Sequence, residues 1–157
     1  VALYDTLQSV FNTTPSGFIG HSAGELLCGY ADGCLTAEQV LVISDVRGRA
    51  MQEARPVLGA MAAVGLSWQE IQNICPPDVY PACNNASKNV TVSGSLDSVL
   101  NFVNDLQAQG VYAKVVDSCD CSPHSPLASD AAVLFRKNLQ GVVSIEKPRS
   151  SKWICTS

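Results

Sequence analysis

Apolar residues along the chain fall into two periodicities, and their alternation predicts the elements. Leu3, Leu7, Val10 and Phe11 recur at helical spacing over residues 2–11. Thr13-Thr14-Pro15-Ser16-Gly17 breaks that helix. Phe18-Ile19-Gly20 reads as a short buried strand, and a helix follows from Ser22 to about Tyr30, closed by Asp32-Gly33. Thr36 with Gln39 three residues on marks a capping box, so a helix is expected over 36–54, ended by Pro56 and Gly59.

A second character begins at residue 60. Residues 60–65 predict a strand, and Ser67 with Glu70 opens a short helix that Pro76-Pro77 stops. Residues 79–84 and 89–94 predict two strands joined by a turn over 85–88. Leu96, Val99, Leu100, Val103 and Leu106 share one face of a helix over 95–109, capped by Gly110. Residues 111–116 predict the closing strand. The order β-α-β-β-α-β is the ferredoxin-like pattern. A loop rich in Ser, Pro, Cys and Asp covers 117–128, followed by a helix over 130–139 and a strand over 141–145. The expected architecture is therefore α/β, with residues 1–58 and 118–157 forming a core and a ferredoxin-like subdomain inserted at 59–117. No internal repeat or low-complexity segment occurs.

Composition narrows the function. The 157 residues are 46% hydrophobic and 15% charged, enough apolar material for a core. The net charge is −4 with no basic run, which argues against a nucleic-acid groove. The longest apolar runs, 40–43 and 142–145, are far too short to span a bilayer. Seven cysteines form no C-x-x-C pair, and Cys119-Asp120-Cys121 is too tight for a usual zinc site, so no metal is expected. They read as small hydrophobes in a reducing compartment, and the sequons at Asn12, Asn85 and Asn89 then carry no meaning. The chain starts at Val1 in mid-helix pattern and stops just after the β-prone Trp153-Ile154, so a piece of a longer polypeptide is expected.

Gly20-His21-Ser22-Ala23-Gly24 matches G-x-S-x-G, the strand-turn-helix nucleophile elbow. Small residues must flank the serine in so tight a turn, and Gly20 and Gly24 supply them. The Ala23 N–H would face a developing oxyanion, aided by the following helix N-terminus. A serine nucleophile needs a base. The chain has two histidines. His21 adjoins Ser22 in a turn where neighbouring side chains diverge, which leaves His124, in the loop Ser122-Pro123-His124-Ser125-Pro126. Arg47 offers a bidentate fork for a carboxylate, and the adjacent Gly48, costly in a helix, suggests a close approach to the backbone.

Taken in order, Gly20-His21-Ser22-Ala23-Gly24-Glu25, Gly29-Tyr30-Ala31-Asp32-Gly33-Cys34-Leu35, Arg47-Gly48, the run 59–66, Ala82-Cys83-Asn84-Asn85, Val90-Thr91-Val92-Ser93-Gly94 and Lys147-Pro148-Arg149-Ser150 carry a family pattern. The sequence resembles the malonyl/acetyl-transferase domain of animal, insect-type fatty acid synthase from end to end. The resemblance implies an α/β-hydrolase-like acyltransferase core, here incomplete, with a ferredoxin-like lid. It implies that Ser22 carries the acyl group, His124 is its base and Ala23 N–H an oxyanion donor. Arg47 would hold the malonyl carboxylate, with His21 and Tyr112 also contacting substrate. The acyl group would pass from coenzyme A to the phosphopantetheine thiol of an acyl carrier protein, with no bound cofactor. Other domains of the same synthase would be partners, nucleic acid and membrane would not, and the location would be cytoplasmic. The isolated piece is expected to be inactive. Polyketide synthase acyltransferase, serine thioesterase or hydrolase, and an inactive docking remnant are the alternatives. Departures stand at Pro123, where animal synthases usually carry an aromatic, at Ala23, where Leu or Val is commoner, and at Tyr112, where Phe is commoner. The family's N-terminal strand and Gln-bearing loop, and its strands beyond residue 157, are absent from the sequence.

Overall fold

The computed structural model describes residues 1–12, 14–54, 57–142 and 147–156. By packing, the chain divides into two compact units, Val1–Gly48 with Lys137–Ser157, and Arg49–Arg136. The expected borders at 59 and 117 follow element boundaries. The packing borders instead carry the loop after residue 117 with the second unit. No described helix is long and apolar enough to cross a membrane.

The second unit is built around one sheet. Its strands are β2 (Gly59–Val64), β3 (Val79–Ala86), β4 (Asn89–Ser95) and β5 (Ala113–Val116), in the order β3-β4-β2-β5, every neighbouring pair antiparallel. With α4 (Trp68–Ile74) and α5 (Leu96–Ala108) as crossovers, this is the expected ferredoxin-like arrangement. Alternation along β2 and β4 puts Ala60, Ala62, Val64, Val90 and Val92 inward, against Ile71, Val99, Phe102, Val103 and Leu106 of the helices. The Ser67 capping box forms as predicted: Glu70 N–H donates to Ser67 Oγ at 3.3 Å and Ser67 N–H to Glu70 Oε2 at 2.8 Å. The hairpin is tighter than expected, because β3 continues through Ala86 and Asn89 pairs with it directly. Pro81 is tolerated because β3 is an edge strand. Gly59 opens β2 rather than closing a helix, and β5 begins at Ala113 rather than residue 111.

The first unit is helical, with a small parallel pair of strands. Its elements are α1 (Ala2–Phe11), β1 (Phe18–Ile19), α2 (Gly24–Ala31), the first part of α3 (Ala37–Ala54) and β6 (Trp153–Ile154). β6 pairs with β1 in parallel, Phe18 opposite Trp153 and Ile19 opposite Ile154. Tyr4 of α1 meets Phe18 and Tyr30 edge-on, at centroid distances of 6.3 and 5.9 Å, and Tyr30 OH donates to Asp5 at 2.7 Å. The Thr36 capping box forms as predicted, with Gln39 N–H donating to Thr36 Oγ1 and Thr36 N–H to Gln39 Oε1.

Other expectations are corrected. Ile19 is exposed rather than buried, because among the described residues nothing covers that side of the β1–β6 pair. The helix expected from Ser22 begins two residues later, since Ser22 and Ala23 form the turn itself. α6 (Ser129–Asn138) forms close to its expected place, preceded by one 3-10 turn at Pro126–Ala128. Gly141 and Val142 lie in a turn, while the rest of the strand expected there, and the Pro56 helix stop, fall outside the described residues.

Candidate active site

Ser22 sits where the motif requires it, between β1 and α2, with φ +53°. A left-handed backbone is costly for a residue with a side chain, and such residues concentrate at functional sites. Gly20 makes the turn possible: a Cβ there would lie 2.5 Å from the Gly24 carbonyl carbon and oxygen and 2.8 Å from Cys28 Sγ. Gly24 is different. A Cβ at Gly24 would meet nothing within 4 Å, so the expectation that both glycines are sterically demanded holds for Gly20 alone.

The turn is closed by its own backbone. Gly24 N–H donates to His21 O at 2.8 Å and Glu25 N–H to Ser22 O at 3.0 Å. Among the described residues nothing accepts from the Ala23 N–H, which stands at the N-terminal end of α2, where partial positive charge collects. An oxyanion at Ser22 would find this donor unclaimed. His21 is exposed and borders an open apolar groove with Leu3, Leu7, Ile19 and Leu27.

Arg47 lies on α3 in the first unit, exposed and without an ion pair among the described residues. The neighbouring Gly48 does not mark a close approach: a Cβ there meets nothing within 4 Å.

His124 and Tyr112 belong to the second unit. His124 is exposed and, like Ser22, left-handed, with φ +58°. Its loop is fastened to the start of β2. Gly59 N–H donates to Asp120 O at 2.9 Å, and a Cβ on Gly59 would come within 2.5 Å of Ser122 N. Ser122 is buried there, Ser118 Oγ donates to Cys121 O, and Ser125 Oγ donates to Ser122 O at 2.7 Å. Cys119 and Asp120 are also left-handed, so the loop is bent sharply before it presents the histidine. Tyr112 is exposed ahead of β5, its carbonyl accepting from Gly65 N–H at 2.8 Å.

Residues 150–156 form a strap along α2, whose contacts the β-prone Trp153-Ile154 does not by itself announce. Glu25, in the first turn of α2, accepts from Trp153 Nε1 at 2.7 Å and from Thr156 N–H at 2.8 Å. The Thr156 hydroxyl lies 2.6 Å from Gly20 O and 2.8 Å from the Glu25 carboxylate, within donating reach of either. At the other end of α2, Asp32 accepts from both the N–H and the hydroxyl of Ser150. Arg149 stacks on Trp153, 5.9 Å from the ring centroid. These donors hold both carboxyls below the usual range, Thr156 N–H chiefly for Glu25 and the Ser150 hydroxyl chiefly for Asp32. Glu25 and Asp32 stand in motifs read from the sequence, but their partners are more than a hundred residues away. Among the described residues no group of three or more His, Cys, Asp or Glu is arranged to hold a metal.

Comparison with known proteins gives the family. The acyl transferase domain family model matches residues 1–157. A highly reducing polyketide synthase of Aspergillus fumigatus is 38% identical over 66% of this chain and 4% of its own length. One of Gibberella moniliformis is 32% identical over 94% of this chain and 6% of its own length. The chain thus spans only about a twentieth of these relatives. Among solved structures, the malonyl CoA-acyl carrier protein transacylase of Coxiella burnetii is similar at TM-score 0.79 and 30% identity, over 89% of this chain and 46% of that one. The acyltransferase domain of the polyketide synthase PpsC of Mycobacterium tuberculosis shares the fold at TM-score 0.82, over 94% of this chain and 44% of that one. The α/β architecture is that of acyltransferases, and the chain belongs to the acyl transferase domain family.

Proposed function

We propose that the protein moves malonyl and acetyl groups from coenzyme A, through an ester on Ser22, to the phosphopantetheine thiol of an acyl carrier protein. The observation that carries this reading is the left-handed Ser22 at a strand-turn-helix junction, with the adjacent Ala23 N–H, at a helix N-terminus, unclaimed among the described residues. In the first half-reaction Ser22 Oγ attacks the thioester carbonyl. His124 takes the hydroxyl proton and returns it to the departing coenzyme A thiol. Negative charge on the carbonyl oxygen meets the Ala23 N–H. In the second half-reaction the carrier thiol attacks the seryl ester, His124 takes the thiol proton, and Ser22 leaves with it. Arg47, with no ion pair among the described residues, would pair with the carboxylate that malonyl has and acetyl lacks.

The motif order favours an animal fatty acid synthase as the parent, working in the cytoplasm with its own carrier and neighbouring domains. A polyketide synthase parent is the second reading, favoured by the identity to fungal polyketide synthases. The test is incubation of the full-length protein with labelled malonyl-CoA and mass spectrometry of the adduct. Ser22→Ala should abolish the adduct, and an adduct that survives it sinks the reading. Arg47→Ala should weaken malonyl transfer by about 2 kcal/mol, the scale of a charge-assisted pair, and leave acetyl transfer nearly unchanged. Free malonate in place of carrier-bound malonyl would point to a hydrolase.

A further inference from the structure

We propose that Glu25 is a positioning residue for the nucleophile: by gathering Trp153 and Thr156 it fixes both sides of the turn that holds Ser22. This rests on the reading of Ser22 as the acyl carrier.

Ser22 occupies a backbone well that a serine does not choose, so its surroundings must impose it. The backbone hydrogen bonds from Gly24 to His21 and from Glu25 to Ser22 tie the turn to itself and to α2. The strap ties it to the strand side. β6 pairs with β1 immediately before the turn, and Phe18 N–H donates to Lys152 O at 2.7 Å. Glu25, three residues after Ser22, accepts the Trp153 indole and the Thr156 amide through its two oxygens. The Thr156 hydroxyl stands between the Glu25 carboxylate and Gly20 O, two residues before Ser22. The turn is thus bracketed, with one strap residue reaching the backbone before the nucleophile and the side chain after it. A carboxylate suits this place on two counts. It accepts several N–H and O–H donors at once, and its charge is favourable in the first turn of a helix.

The consequence for catalysis is in geometry rather than substrate binding. A displacement of a reacting group by an ångström can cost about a hundredfold in rate. Loosening one bracket of the turn should cost less, on the order of tenfold. The measured quantity is the single-turnover rate constant for acylation of the full-length protein by excess malonyl-CoA. That constant does not depend on the fraction of protein that is folded. Glu25→Ala should lower it about tenfold with the half-saturating malonyl-CoA concentration unchanged, the pattern of an interaction expressed in the transition state. Glu25→Gln keeps the shape and one acceptor oxygen and should recover at least half of that loss on a logarithmic scale. Trp153→Phe and Thr156→Val each remove donors while leaving Glu25 in place. Each should give part of the loss, and neither should add to Glu25→Ala, because all act through one cluster. Glu70→Ala, which removes a helix cap in the second unit, should leave the constant unchanged.

The proposal is overturned if Glu25→Ala stays within twofold of the parent rate constant, or if only the half-saturating concentration moves. It is equally overturned if the Trp153 and Thr156 losses add fully to that of Glu25→Ala. A surviving adduct in Ser22→Ala would instead remove the transferase reading itself, so the two failures are distinguishable.

Discussion

The two units carry the candidate chemistry on very different foundations. In the second unit, Ala62, Ile71, Val90, Val92 and Val99 are fully buried in one continuous core fed by every strand of the sheet. In the first, α1 buries no residue: Leu3 is 73% exposed and Phe11 62%, while Ile19, Leu27 and Leu41 also face outward. Many of its long-range polar contacts come instead from the strap. His124 therefore belongs to the unit with the continuous hydrophobic core, and Ser22 to the unit with the strap's hydrogen bonds. Local stability follows buried apolar contact, so the first unit should be the softer one.

The sharpest test of that contrast is truncation in each unit. Ile71→Ala removes a fully buried side chain and should cost about 2–5 kcal/mol of the second unit's stability. Leu3→Ala should stay within about 0.5 kcal/mol, as exposed sites do. The units have one tryptophan each, Trp68 and Trp153, so urea unfolding followed by fluorescence in Trp153→Phe and Trp68→Phe backgrounds reads them separately. Equal costs would break the contrast.

Next in size is Gly20→Ala. Its Cβ would collide with Gly24 backbone, so acyl uptake should fall by about a hundredfold while the Trp68 transition stays put. Gly24→Ala meets open space and should keep near-full uptake, which the same adduct assay reads.

A smaller effect is expected with pH. Glu25 and Asp32 have carboxyls lowered in the folded protein, so the strap's contribution is fully present above the ordinary carboxylate range. It should be lost as pH falls through that range and below it, where both groups take up protons. Trp153 fluorescence should therefore change as pH falls through that range. The smallest effect is Gly48→Ala: with no neighbour within 4 Å in a helix interior, it should stabilise by at most about 1 kcal/mol in thermal melts.

Much of the second unit was legible because its signals are local. Ser67 with Glu70, the spacing of Val99, Val103 and Leu106, and the alternation of Val90 and Val92 each act within a few residues. The elbow at Ser22 was legible for the same reason, since G-x-S-x-G describes a turn complete in five residues. Misreadings arose where the deciding contact is distant or missing. Ile19 looked buried because its neighbours are apolar, and Gly48 looked like a contact because glycine is costly in a helix; neither pattern reports what stands opposite. The Glu25 and Asp32 anchors were invisible because no periodicity joins residue 25 to residue 156.

That separation has a consequence for how the protein is made. The pairing of β1 with β6 must wait until residue 154 has left the ribosome, and closing so long a loop is slow compared with local pairing. The ferredoxin-like sheet is complete once Val116 has emerged, so it can form while the serine's turn still lacks β6. A nascent chain stalled before Ser150 should accordingly show protease-resistant residues 59–116 and take up no acyl group. On this ordering the turn that holds Ser22 gains its β1–β6 support after the ferredoxin-like sheet has formed.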